Sequence, residues 1–290
     1  MHIPDGFLSA PVWGALDAAA IASVALVSKK HADTDADASR IPFLGVMGAF
    51  VFAAQMVNFP VAAGTSGHLL GGALLGIVLG PRIATLVMAA VIFLQALILQ
   101  DGGILALGAN ILNMAVAGVW LGYAAYRVCG FNKMFAVFSA GFISVAGTSA
   151  LVLCELYFSG VNLTRGVVWT STVLFLFTGL IEGTITVAVV RALERMNPGF
   201  VKETEPLRFA PVVFAMLGLI TVLGIAMASS APDVLETALA VRGGQGPGQS
   251  IGQNIWSQRT GAGIGGMLLI FLGCTFAGRL LNRRLKQGSA

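Results

Sequence analysis

The chain alternates long apolar runs with short polar breaks. The runs fall at about 8–28, 41–58, 68–80, 83–99, 104–126, 134–157, 167–190, 209–229 and 262–281. Most approach the roughly 20 residues that a helix needs to cross a bilayer. The run at 68–80 is short and rich in glycine, which suits a tilted or partly buried helix. The pattern predicts an all-α, polytopic membrane protein in two blocks. Residues 1–197 hold seven spans. A polar, proline-bounded linker follows at 198–206, within "NPGFVKETEP". Residues 207–290 form a two-helix accessory hairpin, whose long loop is rich in glycine, glutamine and serine.

Composition agrees with this pattern. Hydrophobic residues make up 57% of the 290 positions and charged residues 10%, against about 25% charged in soluble domains. Such a chain has too few charges to coat a water-facing surface. Its 37 glycines suit close helix packing in lipid. Cys129, Cys154 and Cys274 are isolated, so they give neither a disulfide framework nor metal-ligand spacing. The start lacks the basic region of a secretory signal, since the first lysine is Lys29.

The basic residues set the expected orientation. With the N-terminus outside, the inner loops collect Lys29, Lys30, Arg40, Arg82, Arg127, Lys133, Arg191, Arg195, Lys202, Arg208, Arg279, Arg283, Arg284 and Lys286. Only Arg165, Arg242 and Arg259, of the 17 basic residues, then fall outside. Cytoplasmic loops concentrate Lys and Arg, so the C-terminus is expected inside and 68–80 counts as a crossing. The net charge of +4 thus reflects topology and not nucleic-acid binding.

The opening "MHIPDGFL" carries candidate chemistry. A free Met1 amine, the His2 amide nitrogen and His2 Nδ1 close a five-membered and then a six-membered chelate ring. Both rings are unstrained. Planar nitrogen sites are diagnostic of Ni(II) or Cu(II). Because the metal competes with protons for these nitrogens, binding should weaken in acid. A bulky second residue such as His2 should protect Met1 from removal. The open fourth corner calls for a neutral nitrogen on the outer side. Of the three histidines, His31 lies on the inner loop 29–40 and reads as a surface residue, which leaves His68 in "FPVAAGTSGHLLGG". The alternative is that His2 is incidental and His68 is a hydrogen-bonded interfacial histidine.

Other polar residues in apolar surroundings have competing readings. Asp17, Glu155 and Glu182 lie in or near spans, where acids mark function, headgroup contact or an interhelical hydrogen bond. None is assigned to the metal, because carboxylates favour harder ions. Glu155, near an outer end, is expected to be wet. Asp5 could orient a metal-bound imidazole or cap the first helix, and the cap is favoured; Asp101 lies at an outer span end. Asn58, Asn110 and Asn113 could tie down the N-terminal segment or join helices, and joining helices is favoured. The small residues Gly45, Ala49 and Ala53, and Gly72 and Gly76, mark faces for internal packing or for a partner, with packing favoured.

Five segments in order, "MHIPDGFL", "GAFVFAAQMVNFPV", "GTSGHLLGG", "LQALILQDGG" and "LGANILNMA", resemble the nickel/cobalt substrate-binding membrane components of energy-coupling-factor transporters, the NikM/CbiM family. The resemblance covers roughly the first 200 residues. "PDVLE" (232–236) in the C-terminal hairpin resembles the "PDGLE" signature of the family's small accessory component, with valine in place of glycine. The fused arrangement resembles the nickel type.

The resemblance implies a seven-helix substrate-binding protein with its N-terminus turned into the interior. The metal ligands it implies fall on Met1, His2 and His68. It also implies a transmembrane coupling component and a cytoplasmic ATPase as partners. No GxxxxGK[ST] loop occurs in the chain. The expected function is therefore capture of Ni(II) at the outer face of the cell membrane for ATP-driven uptake, with no enzymatic activity and no resident cofactor. Co(II) is the alternative substrate. An integral-membrane metalloenzyme would need an open coordination site beside a titratable group. A proton- or sodium-coupled carrier would need inverted repeats. Neither pattern is visible.

Overall fold

The computed structural model describes residues 1–32, 41–62, 65–129, 132–161 and 163–196. The linker and accessory hairpin expected at 198–290 lie outside the described residues, as do the imidazole of His31 and most of the loop that follows it. Seven helical segments occur among the described residues. They are α1 (Ala10–Ala32), α2 (Ile41–Gln55), α3 (Gly72–Leu79), α4 (Pro81–Leu99), α5 (Leu107–Val128), α6 (Lys133–Phe158) and α7 (Arg165–Met196). Between α2 and α3 stand two short antiparallel strands, β1 (Asn58–Ala62) and β2 (Thr65–His68).

Five helices, α1 and α4 to α7, are long and apolar enough to cross a membrane. The third expected span takes another form. Helix α3 has 8 residues, which at 1.5 Å each rise about 12 Å, well short of a ~30 Å hydrocarbon layer. The chain reaches it through extended β2, and nearly all of α3 is buried. Non-helical backbone at such a depth is tolerated when protein surrounds it. The glycines that weakened this run as a helix also let α3 sit close to α5. A β-carbon at Gly72 would stand 3.3 Å from the Gly118 backbone, and one at Gly76 would stand 3.3 Å from the Val119 carbonyl oxygen. Gly45, Ala49 and Ala53 are buried too, so these small-residue faces serve internal packing.

Helices α4 and α5 each widen into a π-helical stretch, Gln95–Leu99 and Ile111–Gly118. The wider turns misalign the hydrogen-bond ladder, and neighbouring groups use the carbonyls. Thr148 and Ser144 of α6 donate to the Asn113 and Gly118 carbonyl oxygens at 3.1 and 2.8 Å. The Asp101 amide donates to the Gln95 carbonyl at 3.2 Å, which folds the α4–α5 loop back over the end of α4. Asn132 caps α6 by accepting from the Met134 and Phe135 amides.

The larger apolar core includes Phe52, Leu74, Met88 and Met114. A smaller one gathers Ile3, Leu8, Ala109, Val152 and Leu156. Met1 belongs to the first and Ile3 to the second, so the first residues of the chain are threaded between the two. Trp169, Val173, Phe177 and Leu180 form an exposed apolar stripe on α7, as expected of a face turned to lipid.

Candidate metal site

The N-terminal segment is held by the α4–α5 connection. The Ile3 amide donates to Asn110 Oδ1 at 2.8 Å, while Asn110 Nδ2 and the Gly103 amide donate to the Ile3 carbonyl at 3.1 and 2.9 Å. Ile3 itself is fully buried, which contributes roughly 1.5–3 kcal/mol relative to exposure. Asp5 does not cap the first helix, which begins at Ala10. It accepts instead from the Ile104 and Leu105 amides, at 3.1 and 2.8 Å. Asp17 likewise accepts from the Gly108 amide at 2.7 Å. The amides leading into α5 and in its first turn therefore find acceptors on Asp5 and Asp17, because unsatisfied amides there need partners.

Asn110 thus ties down the N-terminal segment, contrary to the helix-joining role expected of it. Asn113 does join helices, donating from α5 to Glu155 of α6 at 2.7 Å. Glu155 is buried and not wet, because that amide and the helix contact enclose it. The Asn58 side chain lies outside the described residues; its backbone pairs with His68 across the two strands.

This anchoring brings Met1, His2 and His68 together. Their relative exposures are 6%, 5% and 7%. The Met1 amino nitrogen lies against His68 Nε2. The His2 and His68 rings are stacked, with centroids 5.4 Å apart and planes 15° apart. His68 Nδ1 donates to the Leu69 carbonyl at 3.0 Å, which leaves Nε2 with its lone pair toward the amine. Among the described residues no group of three His, Cys, Asp or Glu side chains is arranged to hold a metal. The nitrogens gathered here come partly from the main chain.

Asp101 stands at the edge of this cluster, with Oδ1 3.3 Å from His2 Nδ1 and its side chain 48% exposed. Desolvation opposes ionisation of the carboxyl, but His2, His68 and the terminal amine together outweigh it and hold Asp101 well below the usual carboxylate range. Asp101, and not Asp5, is thus the carboxylate beside the His2 imidazole, and it faces Nδ1, the nitrogen the chelate would use. Glu182 was also missed as part of this region: it accepts from the Leu70 and Gly71 amides, immediately after His68. These partners are 99 and 112 positions apart in sequence. The available signals were the "QDGG" glycines, which imply close backbone approach, and an acid inside an apolar span.

Comparison with known proteins follows the same lines. The CbiM family, described as "Cobalt uptake substrate-specific transmembrane region", matches residues 2–200. The cobalt transport protein CbiM of Sorangium cellulosum is 32% identical over 225 residues, covering 73% of this chain and 99% of that protein. The fused nickel transport protein NikMN of Rhodobacter capsulatus is 38% identical over 157 residues, covering 53% of this chain and 45% of its own length. A crystal structure of a transition metal transporter superposes with a TM-score of 0.62 at 30% identity, over 72% of this chain and 100% of that one. With the family's region covering nearly all the described residues and the same fold in a solved metal transporter, the chain belongs to the CbiM family of substrate-specific transmembrane metal-uptake proteins.

Proposed function

We propose that this chain is the substrate-binding component of an energy-coupling-factor importer and that it captures Ni(II) through Met1, His2 and His68. The observation that carries the reading is the contact between the Met1 nitrogen and His68 Nε2, with the His2 ring stacked alongside. The amine and the His2 amide form the five-membered ring, His2 Nδ1 closes the six-membered ring, and His68 Nε2 supplies the fourth corner. The amide proton leaves to solvent on binding, so affinity falls in acid.

Charge supports this assignment. The ion brings two positive charges, the deprotonated amide removes one, and the Asp101 carboxylate beside His2 removes the other. A buried site with no net charge avoids the heavy cost of an uncompensated ion in a low-dielectric interior. Four nitrogens in a plane suit Ni(II). The cobalt description of the family favours Co(II) as the second reading.

In this reading the N-terminus faces the cell exterior and the C-terminus the cytoplasm, which the Lys and Arg distribution supports. A membrane coupling component and a cytoplasmic ATPase supply the energy, and residues 207–290 act as the fused accessory hairpin. The deciding experiment is metal content and visible absorption of the protein carrying its native first residue. One Ni(II) per chain, with the weak yellow-orange band of square-planar nickel, is the expected result. A six-coordinate oxygen-ligand spectrum, or retention of cobalt alone from an equimolar mixture, would overturn the nickel assignment.

A further inference from the structure

Glu182 lies in α7, is fully buried, and is not a ligand in the proposed site. Its carboxylate spans two consecutive backbone amides: Oε2 accepts from Leu70 and Oε1 from Gly71, both at 2.8 Å. These amides lead into α3, where a helix N-terminus leaves N–H groups unsatisfied and favours negative charge. That accounts for the acid inside an apolar helix, but the contact reaches further.

The Leu70 amide belongs to the same peptide group as the Leu69 carbonyl. That carbonyl accepts from His68 Nδ1 at 3.0 Å. One rigid, planar unit therefore joins Glu182 on one edge to the His68 ring on the other. The next peptide group is fixed in the same way, with its N–H on Glu182 and its Leu70 carbonyl accepting from Gln55 Nε2. Hydrogen bonds in series polarise one another, so the carboxylate makes the Leu69 carbonyl a better acceptor for the imidazole N–H. A ligand histidine's tautomer, orientation and basicity are set by the group its other nitrogen bonds.

We infer that Glu182 is a positioning residue for His68, acting through the Leu69–Leu70 peptide to keep Nδ1 as donor and to present Nε2 to the metal. The helix that carries it is fixed at the same level. A β-carbon at Gly141 of α6 would stand 2.8 Å from Gly183 Cα, so α7 lies hard against α6 beside the carboxylate. Displacement of α7 would draw directly on the His68 corner. The inference rests on the proposed role of His68 as a ligand.

The test uses the full chain with its native N-terminus and Ni(II) as probe, comparing wild type, Glu182→Gln, Glu182→Ala, His68→Ala and the double variant Glu182→Ala/His68→Ala. Glutamine keeps one acceptor and turns a second donor on an amide, so about a 10-fold loss of affinity is expected; alanine should cost up to about 100-fold, the range for groups that orient metal ligands. The Glu182→Ala nickel spectrum should move toward that of His68→Ala. If Glu182 acts through His68, its removal costs little in the His68→Ala background. An equal loss in both backgrounds would assign Glu182 a merely structural role and overturn the inference. So would unchanged affinity in Glu182→Gln and Glu182→Ala. Should wild type bind no Ni(II), or bind it unaffected by His68→Ala, the proposed site falls and takes this inference with it.

Discussion

The Met1 amino nitrogen meets Nε2 of His68, the last residue of β2 and 67 positions away in sequence. This contact needs nothing ahead of Met1. A single residue added before it would move the amine off the site and leave an ordinary amide in its place. We expect such an extension to abolish Ni(II) binding while the protein keeps its helical content. The check is nickel titration of extended and native chains, with mass spectrometry showing that the extension stays attached. Native affinity from an extended chain would refute the amine's role.

Removing the other half of the contact should be less complete. His68→Ala leaves the three-nitrogen chelate of Met1 and His2, with water at the fourth corner. A loss of at least about 100-fold in affinity is expected, above the range for indirect contributors, together with a red shift of the nickel band. Unchanged absorption would show that His68 is not bound to the metal.

Much of this region was legible in the sequence. The nearness of Met1, His2 and His68 was legible: chelate ring size, which depends only on covalent structure, couples Met1 to His2, and the Lys and Arg distribution left His68 as the histidine on their side. The long spans were found because lipid forces continuous apolar helices. The form of the third span was not legible. Its shape follows from the surrounding helices, which bury α3 and the residues 67–71 before it, and no period in "GTSGHLLGG" encodes that enclosure. Asp101, Glu182 and the bonding of Asn110 were missed for the same reason: each acts on a backbone or ring brought near only by folding.

Asn110 can be separated from the metal chemistry because its side-chain hydrogen bonds go to the backbone of Ile3, not to a proposed ligand. Asn110→Ala removes both bonds and leaves a buried amide without an acceptor, costing about 1–3 kcal/mol locally. The first residues should then leave the interior more often. We expect faster release of Met1 by an aminopeptidase and a nickel affinity lowered by about 10-fold, with no change in the absorption band of the bound form. A shifted band would mean that Asn110 alters the coordination itself.

Asp101 contributes charge rather than shape. Asp101→Asn keeps the size and a possible acceptor beside His2 but removes the negative charge that balances the ion. Affinity should fall by about 10-fold or more. Because the carboxylate is about half exposed, part of that charge faces water, and part of the loss should disappear at high salt. Equal losses at low and high salt would contradict an electrostatic role.

Gly102 offers a test of how closely the loop must approach His2. Its φ is +95°, and a β-carbon there would lie 2.9 Å from Asn110 Nδ2 and 3.1 Å from His2 Cβ. Alanine would therefore bring two costs, backbone strain of about 1–2 kcal/mol and a push on both the anchor and the chelating residue. Gly80, between α3 and α4, separates the two. It also has positive φ, at +78°, but nothing stands within 4 Å of its would-be β-carbon. Gly80→Ala should lower thermal stability by the strain alone and leave nickel affinity within about twofold of wild type. Gly102→Ala should lower both, with the loss of affinity reaching 10-fold or more. Equal effects on affinity from the two substitutions would mean that the loop's contact with His2 does not shape the site.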